Sequence, residues 1–449
     1  MKKKIILIFI SILLIVSTFW ATNTFDNLTF NQIIFHIFVP NKGTNLGVII
    51  DYIIKCIPLI LLLTLILYHL LKKSNNIYLY VILILSIVLC FYSLGIFKYV
   101  FNQFVYSTFL NDNYINPENI EIKFPDKKRN LIYIFLESME YTYNEYNILD
   151  DINKLNDITF FNDSKGAYVL GSATFTTSAM VSHHSGIPIY GNFDKYTFDI
   201  NNNFLANMTN LGDILDKNSY NNYLMVGSNS LFGGRYNYFK THGNYEIWDL
   251  NNAIHEGYMT SDDVVFWGFS DKELFKYAKD KLNNIKEHPF NLTLLTVNTH
   301  NPNGYIDDSC NIKNDDIYAK SILCSNSYLK DFIEWVQNSE FYSNTTIVLA
   351  GDHLTMNTSL LKKLPKEYDR TVYFTIINSP LEYNANRLFT TYDIFPTTLA
   401  SLNVKIEGNR LGLGTNLYSD TKTLLEIYGI EYMNKELFKK STFYPKLFK

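Results

Sequence analysis

The chain has 449 residues, with 39 Lys and Arg against 43 Asp and Glu, a formal net charge of −4 and a pI near 6.2. That balance gives no basic face or stripe of the kind nucleic acid demands, so nucleic acid is excluded as a partner. The length suffices for a membrane segment plus one domain of roughly 300 residues, near the limit of a single core.

Lys2, Lys3 and Lys4 precede an apolar run from Ile5 to Ala21, which by itself suits either a signal-peptide core or a first membrane span. Two further runs favour the span. Ile53–Leu71 is apolar except for Lys55, close enough to one end to snorkel, and Ile77–Phe97 is interrupted only by Tyr and Ser. Residues 1–97 are therefore expected to form a three-helix membrane anchor. The lysines at 2–4 and Lys72 and Lys73 in the Leu71–Asn76 connection mark the cytoplasmic side, and three crossings then put everything after Phe97 outside. Residues 98–128 show no clear period and read as a juxtamembrane linker, with Pro125–Arg129 as the polar lead into a first strand.

Residues 129–420 alternate apolar strand candidates with helical stretches. The strands are Leu131–Leu136, Ala167–Leu170, Tyr223–Val226, Asn291–Val297, Thr345–Leu349 and Val372–Ile377. The helices are Ser178–Ser185, Leu205–Lys217, Asp271–Glu287, Ile317–Gln337 and Thr391–Leu402. Such alternation predicts an α/β sandwich with a mostly parallel central sheet. Residues 421–449 read as a helical tail whose lysines, Lys439, Lys440, Lys446 and Lys449, suit an ordinary solvated face. Cys56 and Cys90 fall in the spans as small buried hydrophobes. Cys310 and Cys324 close a short polar loop in the exported domain and are expected to form a disulfide; no second Cys or His stands at zinc-finger spacing around them.

In an open α/β sheet ligands bind at the carboxyl ends of the strands. Glu137 follows the first strand and Asp352-His353 follows another, offering two carboxylates and an imidazole to one divalent ion. The hydroxyl-rich stretch Gly171–Ser182 begins a helix, where free N–H groups favour a developing anion. Thr174, Thr176 and Thr177 are adjacent nucleophile candidates, and a metal would lower the proton affinity of a hydroxyl that is otherwise a poor nucleophile. His300, in Asn298-Thr299-His300 after another strand, can hold phosphate or protonate a leaving alkoxide. Arg235, after Gly233-Gly234, can fork onto phosphate oxygens. His183 and His184, on the helix after the nucleophile, read as packing or solvent-facing residues.

The order of these motifs resembles the sulfatase-like proteins of the alkaline phosphatase superfamily. Within it the chain is similar to the membrane-anchored phosphoglycerol transferases of periplasmic glucans and, more distantly, to lipoteichoic acid synthases. The stretches that carry the likeness are Phe124–Glu140, Gly186-Ile187-Pro188, Phe239–Gly243, Thr299–Gly304 and Asp352-His353-Leu354-Thr355-Met356-Asn357. The resemblance implies that Glu137, Thr176, Asp352 and His353 bind the metal, manganese first and zinc or magnesium as alternatives. It implies that Thr176, in register with Gly186-Ile187-Pro188, is the nucleophile, and that Arg235 and His300 hold the substrate. Cys310 and Cys324 match the family's positions as well.

The expected function is transfer of glycerol phosphate from phosphatidylglycerol to a hydroxyl of an envelope glycan through a phosphothreonine. The enzyme would sit in the bacterial inner membrane as a multi-pass protein with a periplasmic catalytic domain. Two alternatives are carried: a phosphoethanolamine transferase acting on lipid A or glycan, and a non-catalytic envelope-binding protein. A soluble sulfatase is disfavoured, since the nucleophile stretch lacks Cys-x-Pro-x-Arg.

Overall fold

The computed structural model describes residues 2–25, 28–39, 46–162, 166–190, 204–357, 359–365, 367–383 and 386–447. Three of its helices, α1 (Lys2–Thr24), α3 (Leu46–Leu71) and α4 (Asn76–Ser93), are long and apolar enough to cross a membrane. Ile8, Ile12 and Val16 of α1 meet Cys56 and Ile60 of α3 and Leu79 of α4 in a small core of their own. Outside that seam their large side chains, Leu61, Leu65, Ile84 and Leu85 among them, face outward, as a lipid solvent permits. Lys4 Nζ donates to the carbonyls of Lys72 (3.0 Å) and Ser74 (2.7 Å), so both lysine clusters share one end of the bundle.

The third span is shorter than its apolar run. It stops at Ser93, because Gly95 takes a left-handed turn (φ 69°) and the short helix α5 (Ile96–Asn102) starts anew. A helix that periodicity did not predict, α2 (Phe30–Phe38), lies between the first two spans. Thr29 caps it by accepting from Gln32 N–H at 3.2 Å, and Ile34 and Phe35 are wholly buried. Nine residues are too few to show a 3.6-residue period.

The domain that follows the three apolar helices is built on a seven-stranded sheet. In chain order its strands are β1 (Asn130–Leu136), β2 (Ile158–Thr159), β3 (Asn221–Val226), β4 (Glu246–Trp248), β5 (Phe290–Leu295), β6 (Thr345–Gly351) and β7 (Phe374–Ile377). Their spatial order is β2-β7-β6-β1-β5-β3-β4. The pairs from β6 through β4 are parallel, while β7 runs antiparallel to both neighbours. Every residue of β1, β5 and β6 is buried, which is why those strands read as continuous apolar runs: helices cover both faces. One face packs Tyr133 and Phe135 against the helices α6 (Thr176–Ser185) and α7 (Leu211–Lys217). The other packs Ile132 and Ile134 against α8 (Asp271–Ile285) and α9 (Ile317–Gln337).

Several expected elements differ. Ala167–Leu170 is not a strand: Ala167 and Tyr168 make isolated bridges to Val372 and Thr390. The helix expected from Leu205 begins at Leu211, because Leu205 has a positive φ of 50° and Asn210 forms a reciprocal capping box with Asp213. The helix expected over Thr391–Leu402 spans Ile394–Ser401. Residues 98–128 and the tail are stitched into the domain: Tyr106–Ser107 pairs with Lys440–Ser441 and Ile122–Lys123 with Lys405–Ile406. Leu424, Leu425, Met433 and Leu437 of the tail join the main core; Lys449 lies outside the described residues.

Candidate active site

Strand register fixes the site. Leu136 at the end of β1 pairs with Gly351 at the end of β6, so Glu137 and Asp352 leave the sheet side by side. At Gly351 a side chain is forbidden, since a Cβ would stand 1.9 Å from the Met139 carbonyl. Glu137, Asp352 and His353 are all buried, and one ligand atom from each lies within 4.8 Å of the others. His353 Nε2 is 3.5 Å from both Glu137 Oε1 and Asp352 Oδ2. Its Nδ1–H is turned to the Leu354 carbonyl at 2.9 Å, leaving the Nε2 lone pair for the site.

The neighbouring groups orient these three. Ser138, at φ 53°, donates its N–H to Asp352 Oδ1 at 2.8 Å and its hydroxyl to Glu137 Oε1 at 2.7 Å. The His353 N–H also reaches Asp352 Oδ1, at 2.7 Å. Asp352 Oδ2, by contrast, is buried with no hydrogen-bond partner. Burial and then the charge of Glu137 push the Asp352 carboxyl up to about 7. Burial opposes the charge on His353 too, yet Asp352 and Glu137 hold its imidazole above its ordinary value. Two carboxylates with one bare oxygen and a correctly turned imidazole form a hard, anionic donor set, which fits a divalent cation.

Thr176 is the first residue of α6, and its hydroxyl donates to Glu137 Oε2 at 3.3 Å. The other two candidate threonines are engaged differently. Thr177 donates to the Gly233 carbonyl at 2.8 Å, and the Thr174 hydroxyl is buried without a partner. The unbonded N–H groups of the first turn of α6 lie beside Thr176.

Arg235 and His300 line the same cavity as Glu137, Thr176 and His353. Gly233 and Gly234, both left-handed at φ 67° and 75°, turn the backbone so that a short helix starts at Arg235. The guanidinium donates to Ser228 Oγ (3.1 Å) and to the Asn229 (2.8 Å) and Phe232 (3.0 Å) carbonyls, and burial lowers its pKa to about 10. His300 turns its Nδ1–H to the Asn301 carbonyl at 2.9 Å, and its ring lies 4.4 Å from that of Trp267. Below it, Asp271 accepts from the N–H groups of Val297 (2.6 Å) and Asn298 (3.2 Å) and fixes the loop after β5.

Cys310 and Cys324 are joined as a disulfide with their Cα atoms 5.9 Å apart, tying the loop beyond His300 to α9. His183 and His184 are both fully buried, stacked about Phe135, with His183 Nδ1 3.1 Å from the Tyr133 hydroxyl; they pack the sheet and stay out of the site. His242 is structural as well, held between Asp213 and the Phe204 carbonyl.

Sequence reasoning missed Trp267, which sits in an irregular loop with no motif around it. It also missed the membrane side of the cavity. A volume of about 1280 Å³ runs from Glu137 and Thr176 to Ala21, Ile33, Val48 and Asp51 of the first three helices.

The sulfatase family model matches residues 129–404. Phosphoglycerol transferase I of Escherichia coli O6:K15:H31 is 29% identical over 322 residues, a match covering 68% of this chain and 41% of the relative. The protein of that name in Escherichia coli K12 matches at the same identity over the same length. The chain thus spans less than half the length of these curated relatives. The solved lipoteichoic acid synthase LtaP from Listeria monocytogenes shares the fold, with a TM-score of 0.53 at 19% identity, covering 70% of this chain and 81% of that one.

Proposed function

The chain belongs to the sulfatase family, and from that premise we propose that it transfers glycerol phosphate from phosphatidylglycerol to a hydroxyl of an envelope glycan. The observation that carries the reading is the placement of Thr176. Its hydroxyl starts a helix, bonds Glu137 and faces a cavity that reaches the membrane helices. A lipid donor accounts for that continuity, and the 29% identity to phosphoglycerol transferase I favours this head group over ethanolamine.

In this reading Glu137, Asp352, His353 and Thr176 hold one divalent cation, with manganese, zinc and magnesium all compatible with one nitrogen and three oxygens. When bound, the cation supplies the positive charge that lowers the proton affinity of the Thr176 hydroxyl and neutralises phosphoryl oxygens. The Thr176 oxygen, its proton passed to the Glu137 carboxylate it bonds, attacks phosphorus in line. The bond from phosphorus to the diacylglycerol oxygen breaks, and that oxygen takes a proton from Nε2 of a doubly protonated His300, whose Nδ1–H stays on the Asn301 carbonyl. In a second step the acceptor hydroxyl gives its proton to His300 and displaces Thr176, which recovers its own proton from Glu137. Arg235, anchored by three hydrogen bonds, presents its charge to the phosphate. The catalytic domain faces the periplasm in an inner-membrane, multi-pass protein, in keeping with the two lysine clusters at the other end of the bundle.

The test is incubation of membranes holding the full chain with phosphatidylglycerol and phosphatidylethanolamine, each labelled in its head group. Label from phosphatidylglycerol is expected in water-soluble glycan. Label from phosphatidylethanolamine alone would make the protein a phosphoethanolamine transferase, and label from neither would leave a binding role.

A further inference from the structure

The cavity described above is larger than a glycerol phosphate needs, since pockets for whole drug-sized ligands span about 300–1,000 Å³, against about 1280 Å³ here. Its walls change character along its length. At one end stand Glu137, Thr176, Arg235, His300 and His353; at the other, apolar side chains such as Ala21, Leu28, Ile33, Ile37, Val48 and Leu94 predominate, with Gln32, Asp51 and Lys55 among them. We propose that this apolar half seats the diacylglycerol portion of the donor, making α1, α2 and α3 part of the substrate site rather than an anchor alone. The inference rests on the lipid-donor reading and deepens it.

Three observations bear on it. The cavity wall includes Ser17 to Thr24 of α1 and Gly47 to Lys55 of α3, so at 1.5 Å per residue it descends roughly 10–12 Å along each helix. That depth reaches the outer part of a hydrocarbon core about 30 Å thick, where glycerol ester groups and upper acyl chains lie. Second, α2 is wedged against the residue before the nucleophile: Phe35 and His36 stand 4.8 and 5.2 Å from the Phe175 ring. Asn301, next to His300, donates to the Thr24 carbonyl at 2.9 Å. The helices are thus held where the leaving oxygen of the donor must depart. Third, the wall carries an ion pair, Lys55 to Asp51 at 2.6 Å, with Trp20 Nε1–H donating to Asp51 at 2.9 Å. A paired charge capped by an indole suits the ester level of a lipid. On attack by Thr176, whose proton passes to Glu137, the new bond is Oγ–P and the broken bond is P–O to diacylglycerol. The alcohol, protonated by His300, then leaves along the slot into the bilayer.

The experiment uses the full chain in vesicles containing phosphatidylglycerol with a diazirine on one acyl chain, followed by irradiation and peptide mapping. Crosslinks are expected within residues 17–37 and 46–55, reduced at least fivefold by Val48→Trp and unchanged by Ile84→Trp on the outer face of α4. In parallel, Val48→Trp is expected to lower kcat/KM at least tenfold more for a dioleoyl donor than for a dihexanoyl one. Crosslinks confined to the outer faces of α3 and α4, with transfer intact, would overturn the slot and leave the function standing. Crosslinks in the slot without transfer from either phospholipid would overturn the function and leave the slot as a lipid site. Neither crosslinks there nor transfer would overturn both.

Discussion

Two buried carboxylates three residues apart, Glu137 and Glu140, follow the same strand and have opposite surroundings. Glu140 is fully paired: Arg370 grips both its oxygens, Thr142 donates to one at 2.8 Å and the Thr355 N–H to the other at 2.8 Å. Glu137 instead shares its surroundings with a second carboxylate and an imidazole, and Asp352 Oδ2 has no hydrogen-bond partner. Two buried carboxylates sharing one imidazole leave negative charge uncompensated, which is costly; in the proposed reading a bound cation offsets it. The first arrangement holds the loop and needs nothing further. Buried charge is informative here only through its partners.

That contrast breaks first at the proposed nucleophile. Thr176→Ala is expected to lower transfer on the order of 10⁴-fold or more, because no neighbouring hydroxyl stands in the same place. The variant should keep its thermal stability and most of its metal, held by Glu137, Asp352 and His353, and mass spectrometry of wild-type enzyme trapped with phosphatidylglycerol should find the adduct on Thr176. An adduct on Thr174 would reassign the chemistry.

Asp352→Ala is expected to remove both transfer and bound metal, read by metal analysis of the purified full chain. Stripping the metal with chelator from the wild type should lower the melting temperature as well. A ligand present at a thousand times its Kd stabilises the folded state by about 4 kcal/mol. If chelator left the melting temperature and the activity untouched, the three residues would be a structural cluster like that around Glu140.

Glu140→Gln should behave in the opposite way. Leaving Arg370 without its carboxylate is expected to cost about 3–5 kcal/mol of stability. The fraction that remains folded should keep its metal stoichiometry and its kcat, which denaturation curves and active-site titration can separate. The smallest effect is expected at the disulfide. Cys310→Ser with Cys324→Ser should cost about 3 kcal/mol by the loop-entropy estimate and raise KM more than it lowers kcat, since it loosens the loop beyond His300. Alkylation of unreduced, denatured wild type should find neither of these two thiols free.

What was legible in the sequence was what local pattern and covalent order encode. The spans were visible because a bilayer demands long apolar runs, and β1, β5 and β6 because burial on both faces makes strands continuously apolar. Glu137, Asp352 and His353 were visible because residues just after such strands lie at the ligand-binding edge. The short edge strands β2 and β4 were not, since two or three residues carry no period. Nor was the break between Ala167 and Leu170, where tertiary bridges to Val372 and Thr390 replace a strand.

The sequence by itself determined the three apolar helices, the alternating α/β order and the identity of the strand-end residues, because each is written in a run of neighbouring side chains. Only the tertiary structure decided which threonine faces the carboxylates. Thr174, Thr176 and Thr177 fall within four residues, and the family register only pointed to Thr176; in the fold the helix start aims Thr176 at Glu137 and turns Thr177 to Gly233. Tertiary structure alone also brought α2 and the ends of α1 and α3 to the edge of the site. That placement depends on packing between segments more than a hundred residues apart, such as Phe35 on Phe175, which no local periodicity records.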